Sequence, residues 1–190
     1  MLVLDSEVYS NTGGQASKAT PRGAVAKFAA GGELRAKKDL TLMAMSIGSV
    51  YVARVAFGAD DSQLVKAFLE ADAYDGPSII VAYSHCIEQG YDLVNGLEQQ
   101  KSAVKSGHWP LFRYNPGRLA EGKNPLQLDS KAPSIPIAEY MKGETRLTRL
   151  ATSDPAAAKA LGALAQQDVT ARWRLYEHMA AMAVNGGKKE

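Results

Sequence analysis

One cysteine, Cys86, is all this 190-residue chain has, so no disulfide can form within it. That agrees with a reducing compartment. No apolar run approaches the roughly 20 residues that cross a bilayer, and the N-terminus carries neither a basic leader nor a small-residue cleavage site. Charge of one sign is missing as well: 22 Lys and Arg stand against 20 Asp and Glu, a net +2. Bulk electrostatics therefore draws the chain neither to nucleic acid nor to an anionic membrane. There is no internal repeat. A cytoplasmic chain is expected, with partners recognised at particular sites. Its length fits one globular domain with room for an appendage, burying roughly 70% of the surface the unfolded chain exposes.

What is present reads as alternating strands and helices. Leu2 to Leu4 ends a buried strand, and Ser6 to Arg22, polar and rich in small residues, should be a loop. Ala24 to Ala30 is small and apolar until Gly31-Gly32 breaks it. Asp39 is placed to cap a helix over Leu40 to Ile47 that Gly48 ends, and Val50 to Phe57 has the β-branched and aromatic content of a strand. Asp60-Asp61-Ser62 then opens a helix over Gln63 to Ala73, with Leu64, Val65, Phe68 and Leu69 as its apolar face. Ser78 to Tyr83 is the most continuous apolar run, the pattern of a strand covered on both faces.

Strands and helices in this order predict an α/β fold, a mostly parallel sheet flanked by helices. Gln89 to Ser106 suggests a further helix and Pro110 to Tyr114 a short strand. Asn115 to Pro136, with four prolines, reads as an extended arm. Asp154-Pro155 opens a long C-terminal helix to about Val184, and Asn185 to Glu190 should fray. The expected division is an α/β domain over 1–114 and an arm with a long helix over 115–190.

Ligands of parallel α/β sheets bind outside the carboxyl ends of the strands. Two unusual segments fall there: the opening loop, and Ser84-His85-Cys86. The loop offers hydroxyls at Ser6, Ser10, Thr12, Ser17 and Thr20, an amide at Asn11, and Gly13-Gly14, which let backbone approach a ligand. Oxygen donors of this kind suit a diphosphate and a hard cation such as Mg²⁺. A polar surface turn, with Asn11 in an Asx turn, would have the same composition. No Gly-Lys-Ser/Thr follows, so the segment is not a phosphate-binding P-loop.

The order of the residues goes further than their composition. Asp5 to Pro21 (DSEVYSNTGGQASKATP) closely resembles the thiamine-diphosphate segment of the pyruvate:ferredoxin (flavodoxin) oxidoreductases. Ala24 to Gly32, Leu42 to Ser46, Tyr83 to Ile87, Gly96 to Lys101, Gly122 to Ser134 and Ala171 to Glu177 resemble the same family's carboxyl-terminal region. The resemblance implies the thiamine-diphosphate-binding fold, incomplete at its N-terminus. It implies Mg²⁺ held by the Ser6 hydroxyl and the Val8 backbone carbonyl, Asn11 close to the reacting atoms, and backbone approach at Gly13 and Gly14. Where the family usually has threonine, Ser6 keeps the oxygen and loses a methyl. Cys86 would be one of four thiolates on a [4Fe-4S] cluster.

For the whole enzyme the resemblance implies oxidative decarboxylation of pyruvate to acetyl-CoA and CO₂, with coenzyme A, with ferredoxin or flavodoxin as electron acceptor, and with a homodimeric assembly. It also implies that a Gly-Asp-Gly metal motif, the pyrimidine-binding domain and three more cysteines lie upstream of Met1. This chain alone would then lack activity and the cluster, and would expose a sheet edge that favours self-association. The rival reading is a noncatalytic α/β module, or one subunit of a 2-oxoacid oxidoreductase divided among chains. Other candidates read as structural. His85 and Cys86 point to opposite faces of a strand, which disfavours a nucleophilic pair. His108-Trp109-Pro110 is a packed aromatic turn, Trp173 and Tyr176 pack together, and Lys37-Lys38 and Lys188-Lys189 are solvated.

Overall fold

The structure is a computed structural model, and it describes residues 1–184. The expected fraying of Asn185 to Glu190, and the expected solvation of Lys188-Lys189, lie outside the described residues. Five strands form one sheet: β1 (Leu2–Asp5), β2 (Tyr51–Val55), β3 (Ser78–Tyr83), β4 (Phe112–Tyr114) and β5 (Leu126–Leu128), in the order β1-β3-β2-β4-β5. The expected α/β sheet with flanking helices is present. β1, β3 and β2 run parallel, while β4 and β5 complete the sheet antiparallel at one edge.

Capping residues set the helix starts as the sequence predicts. Asp39 accepts from the Leu42 amide at the start of α1 (Leu40–Met45), and Asp60 from that of Gln63 at α2 (Asp61–Ala73). A third helix, α3, covers Gly96–Lys105. Three short helices, α4 (Ile137–Met141), α5 (Thr145–Thr148) and α6 (Leu150–Ser153), precede α7 (Pro155–Ala181), which has Asp154 as its cap and proline at its first position. Every residue of the central strand β2 is buried. One face of that strand, with Tyr51, Ala53 and Val55, packs on Ala67 and Leu64 of α2. Val52 on the other face clusters with Phe112 and Leu126 of β4 and β5, Ala44 and Met45 of α1, and Tyr176 of α7.

Several local expectations are corrected. Of the expected apolar face of α2, Leu64 packs on the sheet but Val65, Phe68 and Leu69 are exposed, while Gln63 and Ala67 face the sheet. The reason is polar. Gln63 donates to the Arg54 carbonyl and to Asp129, and Glu70 accepts from the Tyr51 hydroxyl, so the inward face must satisfy buried donors and acceptors. The arm over Asn115 to Pro136 contains a 3₁₀ turn, Pro116–Glu121, and then β5, whose Leu126 is buried against the core. Three residues are too few to show a period of two in the sequence. Within Gln89 to Ser106 the regular helix begins only at Gly96, after short 3₁₀ turns at Ile87–Gln89 and Leu93–Asn95. Trp173 and Tyr176 are both buried, but the Tyr176 ring packs on Phe112, 4.7 Å between centroids.

Candidate functional site

Parallel pairing of β1 with β3 puts Asp5 opposite Tyr83, so the chain leaves both strands at the same edge of the sheet. Two bonds join the departing segments. Ser84 N donates to Asp5 O at 3.0 Å, and Gln89 donates through Nε2 to the carbonyls of Ser6 and Ser84 while its Oε1 accepts from the Cys86 amide.

Beyond Asp5 the loop doubles back. Gly14 N donates to Tyr9 O and Tyr9 N to Gln15 O, closing a turn whose reversal is made by Gly13 and Gly14 at φ +96° and +88°. A Cβ at Gly14 would meet only the end of the exposed Glu88 side chain, which can move aside, so the requirement for glycine there is conformational. Asn11 lies at the exposed tip, and its side chain makes no hydrogen bond among the described residues. Ser6 is half-buried, and its hydroxyl donates to the Val8 carbonyl at 3.1 Å.

Cys86, buried at the end of the other segment, has its Sγ 3.1 Å from the Ser10 hydroxyl. The adjacent His85 turns instead toward α3, where its Nδ1 lies 3.3 Å from Gln100 Nε2. Ser6, Val8, Asn11, Gly13 and Gly14 thus share one loop, and Ser10 brings that loop into contact with Cys86.

Behind the loop is a set of buried charges that composition did not reveal. Glu7 is fully buried between Ser6 and Val8, and its carboxylate accepts from Arg146 Nη2 at 2.6 Å and His108 Nε2 at 2.9 Å. Lys37, expected in solvent, is almost wholly buried and reaches Asp5 at 2.7 Å and Glu7 at 3.4 Å. Its four-carbon stem crosses the interior because two carboxylates at the strand end need a cation. Glu144, also fully buried, accepts from Tyr83, Tyr140, Gln99 and the Arg146 Nε. His108-Trp109 is indeed packed: Trp109 meets Tyr83 edge-on and His108 stacks on Tyr140, with a hydrogen bond between His108 and Glu7 in addition.

The electrostatics follow from that packing. Burial works against a charge on Glu7, yet His108, Lys37 and Arg146 hold its carboxyl well below the usual range. Asp39 is likewise lowered against burial, by Arg54, Thr41 and Tyr176. Burial, reinforced by Asp39 and opposed by Arg54, pushes the Tyr176 hydroxyl up to about 12. Both carboxyls lose protons more readily folded than unfolded, so they stabilise the fold above their unfolded pKa of about 4. That contribution fades as pH falls below it toward the folded values. The urea midpoint is therefore expected to drop steeply below about pH 4, and Asp39→Asn, less stable at pH 7, should show a shallower fall. Parallel curves for the two proteins would refute this assignment.

No protein-family model matches the chain. Curated relatives do. It is 57% identical over 187 residues to a pyruvate-flavodoxin oxidoreductase of Trichormus variabilis, a match covering 98% of this chain and 16% of that protein. Identity is 54% over 180 residues to the pyruvate:ferredoxin oxidoreductase of Moorella thermoacetica, covering 95% and 15%. The chain belongs to the pyruvate:ferredoxin (flavodoxin) oxidoreductases. It spans about one-sixth of the length of these two relatives. A protein named mitochondrial NADP⁺ pyruvate dehydrogenase, from Euglena gracilis, is 48% identical over 181 residues, covering 94% of this chain and 10% of that protein.

The oxidoreductase loop passes one geometric test for magnesium. Two adjacent ligands of an octahedral Mg²⁺ at 2.0–2.1 Å lie about 3 Å apart, and the Ser6 and Val8 oxygens are 3.1 Å apart. A cation seated on both would replace the hydrogen bond between them. A cubane cluster fails the corresponding test, since it needs four thiolates and the chain has one cysteine. Among the described residues no group of three or more His, Cys, Asp or Glu is arranged for a metal. None of the described helices is long and apolar enough to cross a membrane.

The buried partners of the loop, Glu7, His108, Glu144 and Arg146, were missed as site residues. The one available signal was Glu7 itself, an acid between two residues assigned to a ligand.

Proposed function

We propose that this chain is the segment of a pyruvate-cleaving oxidoreductase that anchors the Mg²⁺-diphosphate of thiamine diphosphate and supplies one cysteine to a [4Fe-4S] cluster. The reading is carried by the convergence, at one sheet edge, of the Ser6 hydroxyl with the Val8 carbonyl and of Ser10 with Cys86. Ser6 and Val8 would hold the metal, whose remaining positions go to diphosphate, water and groups outside this chain. The reversal at Gly13-Gly14 holds Asn11 at the exposed tip, where its amide can meet the reacting atoms. Thiamine diphosphate, when bound, supplies the nucleophilic carbon and electron sink that decarboxylation of a 2-oxo acid requires.

In the whole enzyme the substrates are pyruvate and coenzyme A, the products acetyl-CoA and CO₂, and the acceptor ferredoxin or flavodoxin, in a cytoplasmic homodimer. Residues 1–114 form the cofactor-binding part, and 115–190 an arm and helix that brace it.

In the full-length enzyme, Ser6→Ala should raise the Mg²⁺ requirement, and Cys86→Ser should lower the iron content by one cluster. Unchanged iron content would remove Cys86 from the cluster. The 190-residue chain alone should show neither micromolar binding of thiamine diphosphate with Mg²⁺ by calorimetry nor brown cluster absorbance. Tight one-to-one binding would contradict the claim that the site needs more than this chain.

Exposed apolar residues, Leu2 and Leu4 on the edge strand β1 and Val65, Phe68 and Leu69 on α2, fit cover by an upstream part of the same chain, and equally cover by a separate chain, which is the second reading: one subunit of a divided enzyme, or a noncatalytic module. The DNA upstream separates the two. A continuous frame encoding Gly-Asp-Gly and three cysteines supports the first, and a stop codon just before Met1 supports the second.

A further inference from the structure

We infer that Glu7 is a positioning residue for the metal-binding loop, locking the backbone so that the Ser6 hydroxyl and the Val8 carbonyl face the same point. The inference rests on the reading of those two groups as Mg²⁺ ligands. Glu7 has φ +62°, the left-handed region that a residue with a side chain seldom occupies. Such a conformation persists only where the surroundings over-determine it, and here they do. Each polar atom of Glu7 is tied. The amide donates to Asp5 Oδ1 at 2.9 Å and the carbonyl accepts from the Thr20 hydroxyl at 2.8 Å. One carboxylate oxygen meets His108 and Lys37, the other Arg146.

The ties come from distant parts of the chain: Lys37 before α1, His108 after α3 and Arg146 in α5. With the Glu7 side chain drawn inward, its two neighbours are left at the surface of the loop, where their oxygens stand 3.1 Å apart. Glu7 touches no proposed ligand atom. It acts through the backbone on either side, as partners behind a metal's ligands commonly do.

The test uses the full-length oxidoreductase carrying this segment, with Mn²⁺ and thiamine diphosphate as the probe and binding followed by the loss of the free Mn²⁺ electron-spin signal. Glu7→Gln is expected to weaken Mn²⁺ binding about 10- to 100-fold and to raise the KM for metal more than it lowers kcat. A purely structural defect would instead lower the amount of active enzyme at unchanged metal affinity. Thr20→Val, which unties the Glu7 carbonyl and the Ser17 amide but leaves the Glu7 carboxylate and its partners in place, should weaken binding in the same sense and decides the matter should Glu7→Gln not fold. Ser6→Ala is run beside them. If it weakens Mn²⁺ binding while the folded Glu7 and Thr20 variants bind as the parent does, the positioning role is overturned. If Ser6→Ala has no effect, the metal-ligand reading itself is overturned, and this inference with it.

Discussion

Glu144→Ala is expected to destabilise the fold by about 3–5 kcal/mol, the cost of removing one partner from a buried charged pair. Glu144 has no exposed surface. One of its oxygens accepts from Tyr140 at 2.7 Å, Tyr83 at 3.0 Å and Gln99 at 3.1 Å, and the other from Arg146 at 2.7 Å. Alanine would leave four donors without their acceptor, and the Arg146 charge with Glu7 alone. Against a total stability of roughly 5–15 kcal/mol, such a loss would leave much of the protein unfolded at mild urea concentrations. Glu144→Gln keeps an acceptor and the side chain's volume and should cost less. The check is equilibrium urea unfolding followed by the near-UV signal of Trp109. A loss below about 1 kcal/mol for the alanine variant, within the range of an exposed ion pair, would mean that the buried network is not held as described.

Asp39→Ala should be nearly as damaging, for two reasons that act at once. Asp39 caps α1 through the Leu42 amide at 3.1 Å, and it is the only carboxylate within salt-bridge distance of Arg54 among the described residues. Arg54 lies in the middle of the sheet, 2% exposed, its guanidinium 4.8 Å from the Trp109 ring centre. Its Nε and Nη1 already lack hydrogen-bond partners among the described residues. Without Asp39 the cation is buried uncompensated, and a loss of about 3–5 kcal/mol follows.

The pair also predicts its own rescue. Arg54→Met in the Asp39→Ala background removes the stranded charge and leaves an apolar side chain against Trp109 and Phe112. The double variant should recover most of the loss, to within the roughly 1–2 kcal/mol of a missing cap. Additive losses in the double-mutant cycle would show that the two residues do not interact.

Much of the element order was legible because the signals are local. Asp39, Asp60 and Asp154 each cap a helix a few residues away, Val50 to Phe57 and Ser78 to Tyr83 carry their strand character in themselves, and the loop between Ser6 and Arg22 is marked by glycine and hydroxyl residues. The loop's likeness to a thiamine-diphosphate segment was legible for the same reason, being a contiguous string. The failures were of another kind. Val65, Phe68 and Leu69 looked like an inward face because hydrophobicity was the only criterion available, whereas the sheet surface under α2 presents the Arg54 carbonyl, which Gln63 satisfies as a donor, and the Tyr51 hydroxyl, which Glu70 satisfies as an acceptor. Lys37 beside Lys38 looked like two solvated cations, since nothing in their neighbours tells of Asp5 and Glu7 at the end of a strand.

Residue order alone thus settled where β1, β2, β3, α1, α2 and α7 begin, which segment carries the oxygen-rich loop, and the kinship of that loop, since each depends on groups within a few positions of one another. Only the folded chain decided that β4 and β5 run antiparallel, that Ser10 reaches Cys86, and that Glu7 is gripped by Lys37, His108 and Arg146. Those outcomes depend on segments tens of residues apart closing around charges that must find partners once water is excluded. A glutamate reads the same in the sequence whether it will be solvated or buried, and burial supplies the difference.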